Sequence, residues 1–168
     1  VDLDGAVANA GPDNGICLND SITLSCNIGN TGETYLWTSV PPDVGLPAQN
    51  TNQTIKVSPT TTTRYSVHVV DACDYTADDE VNVTVYSLPV ANAGNNGEVC
   101  LGSAYTLGAS GGVYYQWGSI PADPTLFLNQ QDTTAYPVVT PDTQILYKYY
   151  VEVTNENGCT TTDTMELM

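Results

Sequence analysis

The chain has 168 residues, with 19 acidic side chains against three Lys or Arg and one His, a formal net charge of -16, and 41% of its residues are apolar. Phosphate backbones and anionic membrane surfaces are met by clusters of cations. Lys56, Arg64 and Lys148 are too scattered to form one, so nucleic acid is excluded as a partner. No apolar run approaches the ~18 residues of a membrane span, and Val1 opens without a charged and hydrophobic leader, so the reading is a soluble chain, mature or cut out, with no direct membrane insertion.

Thr (23) and Val (18) are the commonest residues, with Asn and Gly at 14 each, Tyr at 11 and Pro at 10. Branched and aromatic side chains suit a pleated surface, and Asn, Gly and Pro supply turns. The spacing therefore predicts short strands, in chain order over 7–10, 21–26, 34–37, 54–58, 64–71 and 81–86, then over 90–93, 105–109, 113–117, 135–139, 145–154 and 164–167. Strand side chains alternate between faces. That puts Ile22, Leu24 and Cys26 on one face, as it does Tyr65, Val67 and Val69, and Val81, Val83 and Val85. These are the expected core faces, with Trp37 and Trp117 at the centre between two sheets.

The strand list repeats itself. Ala8-Asn9-Ala10-Gly11 returns as Ala91-Asn92-Ala93-Gly94, Cys17-Leu18 as Cys100-Leu101, and Thr23-Leu24 as Thr106-Leu107. Tyr35-Leu36-Trp37 returns as Tyr115-Gln116-Trp117, and Val40-Pro41-Pro42-Asp43 as Ile120-Pro121-Ala122-Asp123. Tyr65 to Val69 matches Tyr149 to Val153, and Cys73 is matched with Cys159. The expected organisation is all-β, two tandem β-sandwich domains with Ig-like strand order, residues 1–87 and 88–168. The join near Tyr86-Ser87-Leu88-Pro89-Val90 is short and carries Pro, as a stiff linker does, so the pair is expected to behave as a segment of a rod.

Five cysteines in a Thr-rich acidic β chain point to an oxidising, extracytoplasmic setting. Only four have partners across the repeat, so the expected bridges are Cys17 with Cys73 and Cys100 with Cys159. A loop of that length is worth about 4 kcal/mol in the chain-entropy account. Cys26, whose counterpart is Ala109, is read as a buried inert thiol, or else as the partner in an alternative or intermolecular bridge.

The ordered series Ala8-Asn9-Ala10-Gly11-Pro12-Asp13, Ile16-Cys17, Ser21-Ile22-Thr23-Leu24, Tyr35-Leu36-Trp37, Val57-Ser58-Pro59 running on to Val67, and Val70-Asp71-Ala72-Cys73 resembles the PKD-like and Ig-like repeats of very large secreted proteins of Bacteroidota. Gliding-motility adhesins exported by the type IX system carry such repeats. The resemblance covers essentially the whole chain, twice. It implies a cell-surface, extracellular segment whose partners are neighbouring repeats of the same polypeptide. The aromatic-Asp-Phe-Gly-Asp-Gly signature of PKD domains is missing after Trp37 and after Trp117, which favours the Ig-like sandwich. The same resemblance suggests O-glycosylation at Ser21, Thr133 and Thr164, each preceded by Asp; the plainer reading is ordinary strand and turn residues.

No catalytic constellation stands out. His68 is the one imidazole, sharing an outward strand face with Ser66, and a triad needs a base and an orienting acid in convergent geometry. No cofactor is required. Asp13, Asp71, Asp78 and Asp79 are candidate calcium ligands, since hard oxygen donors from loops suit that ion, against solvated acids as the alternative. Asp2 and Asp4 are weaker candidates for a shared site with a preceding module. Tyr114, Gln116, Lys148 and Tyr150, on the outward face of neighbouring strands, are a candidate surface for surface glycans, because Tyr combines an apolar ring with a polar tip; cross-strand packing is the alternative. The leading function is a non-catalytic, disulfide-braced stalk segment of a large adhesin, and the second is a carbohydrate-binding module.

Overall fold

A computed structural model of the chain describes residues 5–26, 32–46 and 50–168. The fold divides into two compact units, Val1–Tyr86 and Ser87–Met168.

Unit 1 contains β1 (Asn14–Cys17), β2 (Ile22–Ser25), β3 (Thr34–Val40), β4 (Thr54–Val57), β5 (Thr63–Val70) and β6 (Thr76–Tyr86). One sheet runs β1-β6-β5-β3, and β2 pairs with β4 in a second. Alternation along β5 buries Tyr65, Val67 and Val69 completely and leaves Arg64 exposed, with Ser66 and His68 half-buried on the outer face. Leu24, Ile55 and Val57 of the small sheet close the same core as Trp37, Val67, Val81 and Val83 of the large one. Two sheets thus face each other across one apolar layer.

The expected strand over 7–10 does not form. Ala10 instead buries itself and donates its N–H to Asp79 Oδ2 at 2.7 Å. The edge is taken by β1, which runs parallel to β6 with Asn14 opposite Val83 and Cys17 opposite Tyr86. Sequence alternation missed β1 because only Ile16 is buried in it and Gly15 breaks the pattern. The Tyr86 ring lies over this glycine, in the space a Cβ would take.

Unit 2 contains β7 (Tyr105–Thr106), β8 (Tyr114–Ile120), β9 (Val138–Val139), β10 (Tyr147–Thr154) and β11 (Thr160–Leu167). Its sheets run β11-β10-β8 and β7-β9. A parallel bridge from Gly97 to Leu167 stands where unit 1 has Asn14 opposite Val83. The expected strand over 90–93 is reduced to the single bridge from Asn92 to Ser110. Between β8 and β9 lies a 3-10 segment, Pro124–Thr133, made of two short turns broken by non-helical backbone at Leu128, Asn129 and Gln130, which the sequence pattern did not announce. It begins with Asp123 accepting from Thr125 N–H, has Pro in its first turn where no donor is needed, and drives Leu126 fully into the core.

The same internal lock recurs in both units. Trp37 and Trp117 are 1% exposed, and their Nε1–H groups donate to the carbonyls of Asn52 and Thr134 at 3.0 Å. Each ring removes on the order of 200 Å² of surface from water, roughly 5 kcal/mol before entropy is charged against it. Tyr65 and Tyr149 are 0% exposed, so their hydroxyls need acceptors inside. Tyr65 donates to Asp43 Oδ2 and Tyr149 to Asp123 Oδ2, both at 2.6 Å. The two carboxylates are held in turn by main-chain donors, Gly45 N–H on Asp43 and Thr125 N–H on Asp123. Ser39 and Ser119 accept from the aspartates' own N–H groups.

Asp123→Ala orphans the buried Tyr149 hydroxyl and removes the cap of the 3-10 segment, and is expected to cost about 2–4 kcal/mol of unit 2 stability in a denaturant titration. Burial, and after it the facing carboxylate, pushes the Tyr65 and Tyr149 phenols far up from 10.0. A phenol whose folded pKa is raised contributes stability that is whole below the unfolded value near 10 and declines as pH climbs past it. Melting temperature is therefore expected to fall above about pH 10, with two of the 11 tyrosines failing to ionise until the protein unfolds. Native-state ionisation of every tyrosine together would overturn this assignment.

Candidate functional site

Two kinds of surface carry the residues singled out in the sequence: the outward faces of the large sheets, and the sheet ends where the cysteines lie.

On unit 1, β5 presents Arg64, Ser66 and His68 opposite Asn82, Glu80 and Asp78 of β6. His68 Nδ1 lies 2.7 Å from Asp78 Oδ1, Ser66 Oγ donates to Glu80 Oε1 at 3.1 Å, and Arg64 reaches Glu80 at 3.3 Å. Each candidate for chemistry is thus matched across the strand pair rather than to its neighbour along β5. His68 and Ser66 do not form a nucleophile–base couple. Pairs this exposed add little stability each.

The corresponding face of unit 2 shows Tyr114 and Gln116 on β8 beside Lys148, Tyr150 and Glu152 on β10. The register sets Tyr114 against Thr154 and Tyr150 against Gly118. The two rings are therefore four residues apart along the sheet, about 13 Å. Tyr150 covers Gly118, which is buried and has no room for a Cβ, so this ring is committed to the sheet itself. Gln116 is likewise engaged, donating to Asp132 Oδ2 at 2.8 Å. Tyr114 stays 70% exposed.

The proposed calcium ligands are dispersed. Asp79 accepts from Ala10 N–H, and its neighbour Asp78 projects to the opposite face, to His68. Asp13 accepts from Asn82 N–H, and Asp71 caps its own turn by accepting from Cys73 and Tyr75 N–H. Sequence proximity suggested a cluster that strand alternation pulls apart. Among the described residues no three His, Cys, Asp or Glu side chains converge as a metal-binding group. Asp2 and Asp4 lie outside the described residues. Ser21, Thr133 and Thr164 are all exposed, Ser21 just before β2, Thr133 at the end of the 3-10 segment with its hydroxyl on Gln130 O, and Thr164 beside Tyr150.

The cysteines require a correction. Cys17 and Cys159 are disulfide-bonded, whereas Cys73 and Cys100 are free and exposed, and Cys26 is free and buried. The bridges expected from the repeat, Cys17 to Cys73 and Cys100 to Cys159, are not formed. The parallel pairing explains why. Cys17 lies level with Tyr86 at the far end of β6, while Cys73 sits in the turn before Thr76. At the rise of a strand these are roughly 30 Å apart, and a disulfide needs Cα atoms within about 7 Å. Unit 2 repeats the arrangement: Val99, next to Cys100, donates its N–H to Met168 O just beyond β11, and Cys159 precedes the start of β11. That separation is roughly 25 Å.

The turns refine the repeat as well. Asp71 N–H donates to Tyr75 O, and Asn155 N–H to Cys159 O; Asp71 Oδ1 accepts from residues 73 and 75, and Asn155 Oδ1 from 157 and 159. Cys159 therefore corresponds in place to Tyr75, and Cys73 stands two positions earlier in the same turn. At the other pole the match is direct, since the carbonyls of Cys17 and Cys100 accept from Asp20 and Ser103 N–H. Around Cys100 the surface forms an open depression of about 710 Å³ lined by Leu101, Pro141, Ile145, Tyr147 and Met168. Of these, Leu101 and Met168 are 62% and 64% exposed.

Cys26 is 0% exposed on the core face where unit 2 has Ala109 at 3%. Burial pushes its thiol up from 9.0, against a backbone hydrogen bond from Asn9 that acts the other way. A protonated, inaccessible thiol is unreactive.

Strand order, core and turns define an all-β Ig-like fold. Residues 87–168, the whole of unit 2, match the family described as an Ig-like domain, CHU_C associated. No curated protein matches the chain. Among solved structures, the N-terminal eight Ig domains of Down Syndrome Cell Adhesion Molecule align at 11% identity with a TM-score of 0.58, over 96% of this chain and 27% of that one. The fibronectin(III)-like modules of Clostridium thermocellum CbhA align at 8% identity and a TM-score of 0.45, covering 96% and 92%. The I67–I69 I-band fragment of titin aligns at 9% and 0.44, covering 99% and 66%.

Native-state labelling with a maleimide should modify Cys73 and Cys100 and spare Cys26, which should label only after denaturation. Labelling of Cys26 at the same rate as the other two would refute its burial.

Proposed function

We propose that the chain is a non-catalytic structural segment of an extracellular adhesive protein, built as two tandem Ig-like modules and acting as a braced spacer. The observation that carries this reading is that each unit closes its own core with the same Trp and the same Tyr–Asp lock. A module that is complete in itself can be strung in series, and its mechanical resistance comes from laterally bonded strands rather than from any site. The polar groups that sequence reading offered for chemistry are spent within the sheets, as His68 is on Asp78 and Ser66 on Glu80. A disulfide fits an oxidising extracellular setting, and the acidic surface opposes indiscriminate self-association. The gliding-adhesin parentage suggested by the motifs is consistent with the family matched by unit 2.

A carbohydrate-binding module is the second reading, favoured only by Tyr114, which is 70% exposed on the outer face of unit 2, level with Thr154.

Single-molecule stretching from the two termini tests the spacer. The reduced chain should unfold in two cooperative events, and the oxidised chain should release less length because the disulfide withholds part of it. One gradual extension without a force peak would sink the spacer reading. So would saturable glycan binding abolished by Tyr114→Ala and Tyr150→Ala, which would promote the second.

A further inference from the structure

The two sheet ends of each unit are chemically unlike. One end bears a cysteine at the Cys17 position, and the other a cysteine on the turn between the last two strands. Cys17 and Cys159 represent one of each kind, and both are disulfide-bonded. Cys100 and Cys73 also represent one of each kind, and both are free and exposed. Neither can be satisfied inside its own unit, because the two ends are some 25–30 Å apart along the strands.

The path of the chain through unit 2 says what belongs at each end. Met168 N–H donates to Gly97 O and Val99 N–H to Met168 O, so the polypeptide leaves the unit on the end that carries Cys100. At the opposite end Asn155, in the turn that holds Cys159, donates its side-chain amide to Ser87 O, where the unit begins. A module of this design placed after Met168 would therefore enter with its turn beside Cys100. Beside Cys100 lies the open 710 Å³ depression, walled by Leu101, Pro141, Ile145 and Met168 with Glu98, Thr143 and Gln144 also in its lining.

We propose that Cys100 is a covalent docking position for another module of the same design: the depression receives that module's turn, and a turn cysteine closes a disulfide with Cys100. Cys73 is this chain's own turn cysteine of that kind, directed to the Cys17-type end of a further module. The bond forms by exchange with a disulfide oxidant. One thiolate attacks it to give a mixed disulfide and release one thiol. The second cysteine's thiolate then displaces the other, so two protein thiols become one disulfide and the oxidant leaves as two thiols. This inference rests on the tandem-module reading and extends it from a braced pair to covalently continuous modules.

Glutathione disulfide added to the concentrated protein serves as the oxidant, with copies of the same chain supplying the partner ends. Wild-type protein should give a ladder of covalent oligomers reversed by reductant, whose unreduced peptide map joins Cys73 of one copy to Cys100 of another. Cys73→Ala and Cys100→Ala change exposed side chains, and each should keep the wild-type circular dichroism and melting temperature. Each alone should stay largely monomeric. Their equimolar mixture should give a single heterodimer, about tenfold more abundant than either homodimer, the excess a modest docking preference supplies. Homodimers from the single variants as abundant as the heterodimer would overturn the proposal, as would wild-type protein that ends as glutathione-capped monomer. Stretching the isolated chain reports on the spacer reading without any linkage between copies, so the two can fail separately.

Discussion

A tyrosine hydroxyl carried into a dry sandwich core must find an acceptor there, and in both units the acceptor is a carboxylate that the chain itself places. The requirement runs both ways. Tyr149 fills the centre of its unit only because Asp123 meets its hydroxyl, and Asp123 tolerates 1% exposure only because the phenol, Thr125 N–H and the Thr125 hydroxyl satisfy it. Unit 1 uses the same pair with a less covered aspartate, Asp43. The difference follows from what lies above the corner: unit 2 inserts a 3-10 segment whose Leu126 is fully buried, whereas Leu46, at the matching position of unit 1, is only partly so.

A second economy is visible in how tyrosines are used. Tyr150 lies over Gly118, Tyr86 over Gly15 and Tyr105 over Gly97, each ring occupying space a side chain at the glycine would need. An aromatic laid across a strand glycine restores the packing that glycine lacks. This changes how an exposed tyrosine on such a sheet should be weighed. Tyr150, 40% exposed, resembles a ligand platform in sequence, and the register shows one of its faces already taken.

The β architecture, the repeat and the core faces were readable because they depend on local alternation and on side-chain type. Leu24, Tyr65, Val67 and Val81 were placed inward from spacing alone, and they are buried. What spacing could not supply was proximity between distant segments. β1 was missed because an edge strand with one fully inward side chain and a glycine leaves no period to detect. Asp78 and Asp79 were grouped because they are adjacent, though adjacency in a strand means opposite faces. The cysteines went astray for a related reason. Repetition shows which positions correspond, and correspondence is not contact: the parallel pairing of β1 with β6 carries Cys17 to the end furthest from Cys73.

The division of labour among surfaces follows from these constraints. Core positions agree between the units because the Trp and Tyr–Asp locks admit little variation. The sheet faces disagree, with Arg64, Ser66 and His68 where unit 2 has Lys148, Tyr150 and Glu152, because an outward side chain has only to suit its cross-strand neighbour. The ends are constrained differently again. Their backbone bonds are shared in detail, Asp71 and Asn155 each accepting two main-chain donors on one atom, while the cysteine slides by two places within the turn. A turn rigid enough to hold its shape can present a thiol from more than one position. The geometry of the end is therefore kept by the capping side chain, and the cysteine is carried on it.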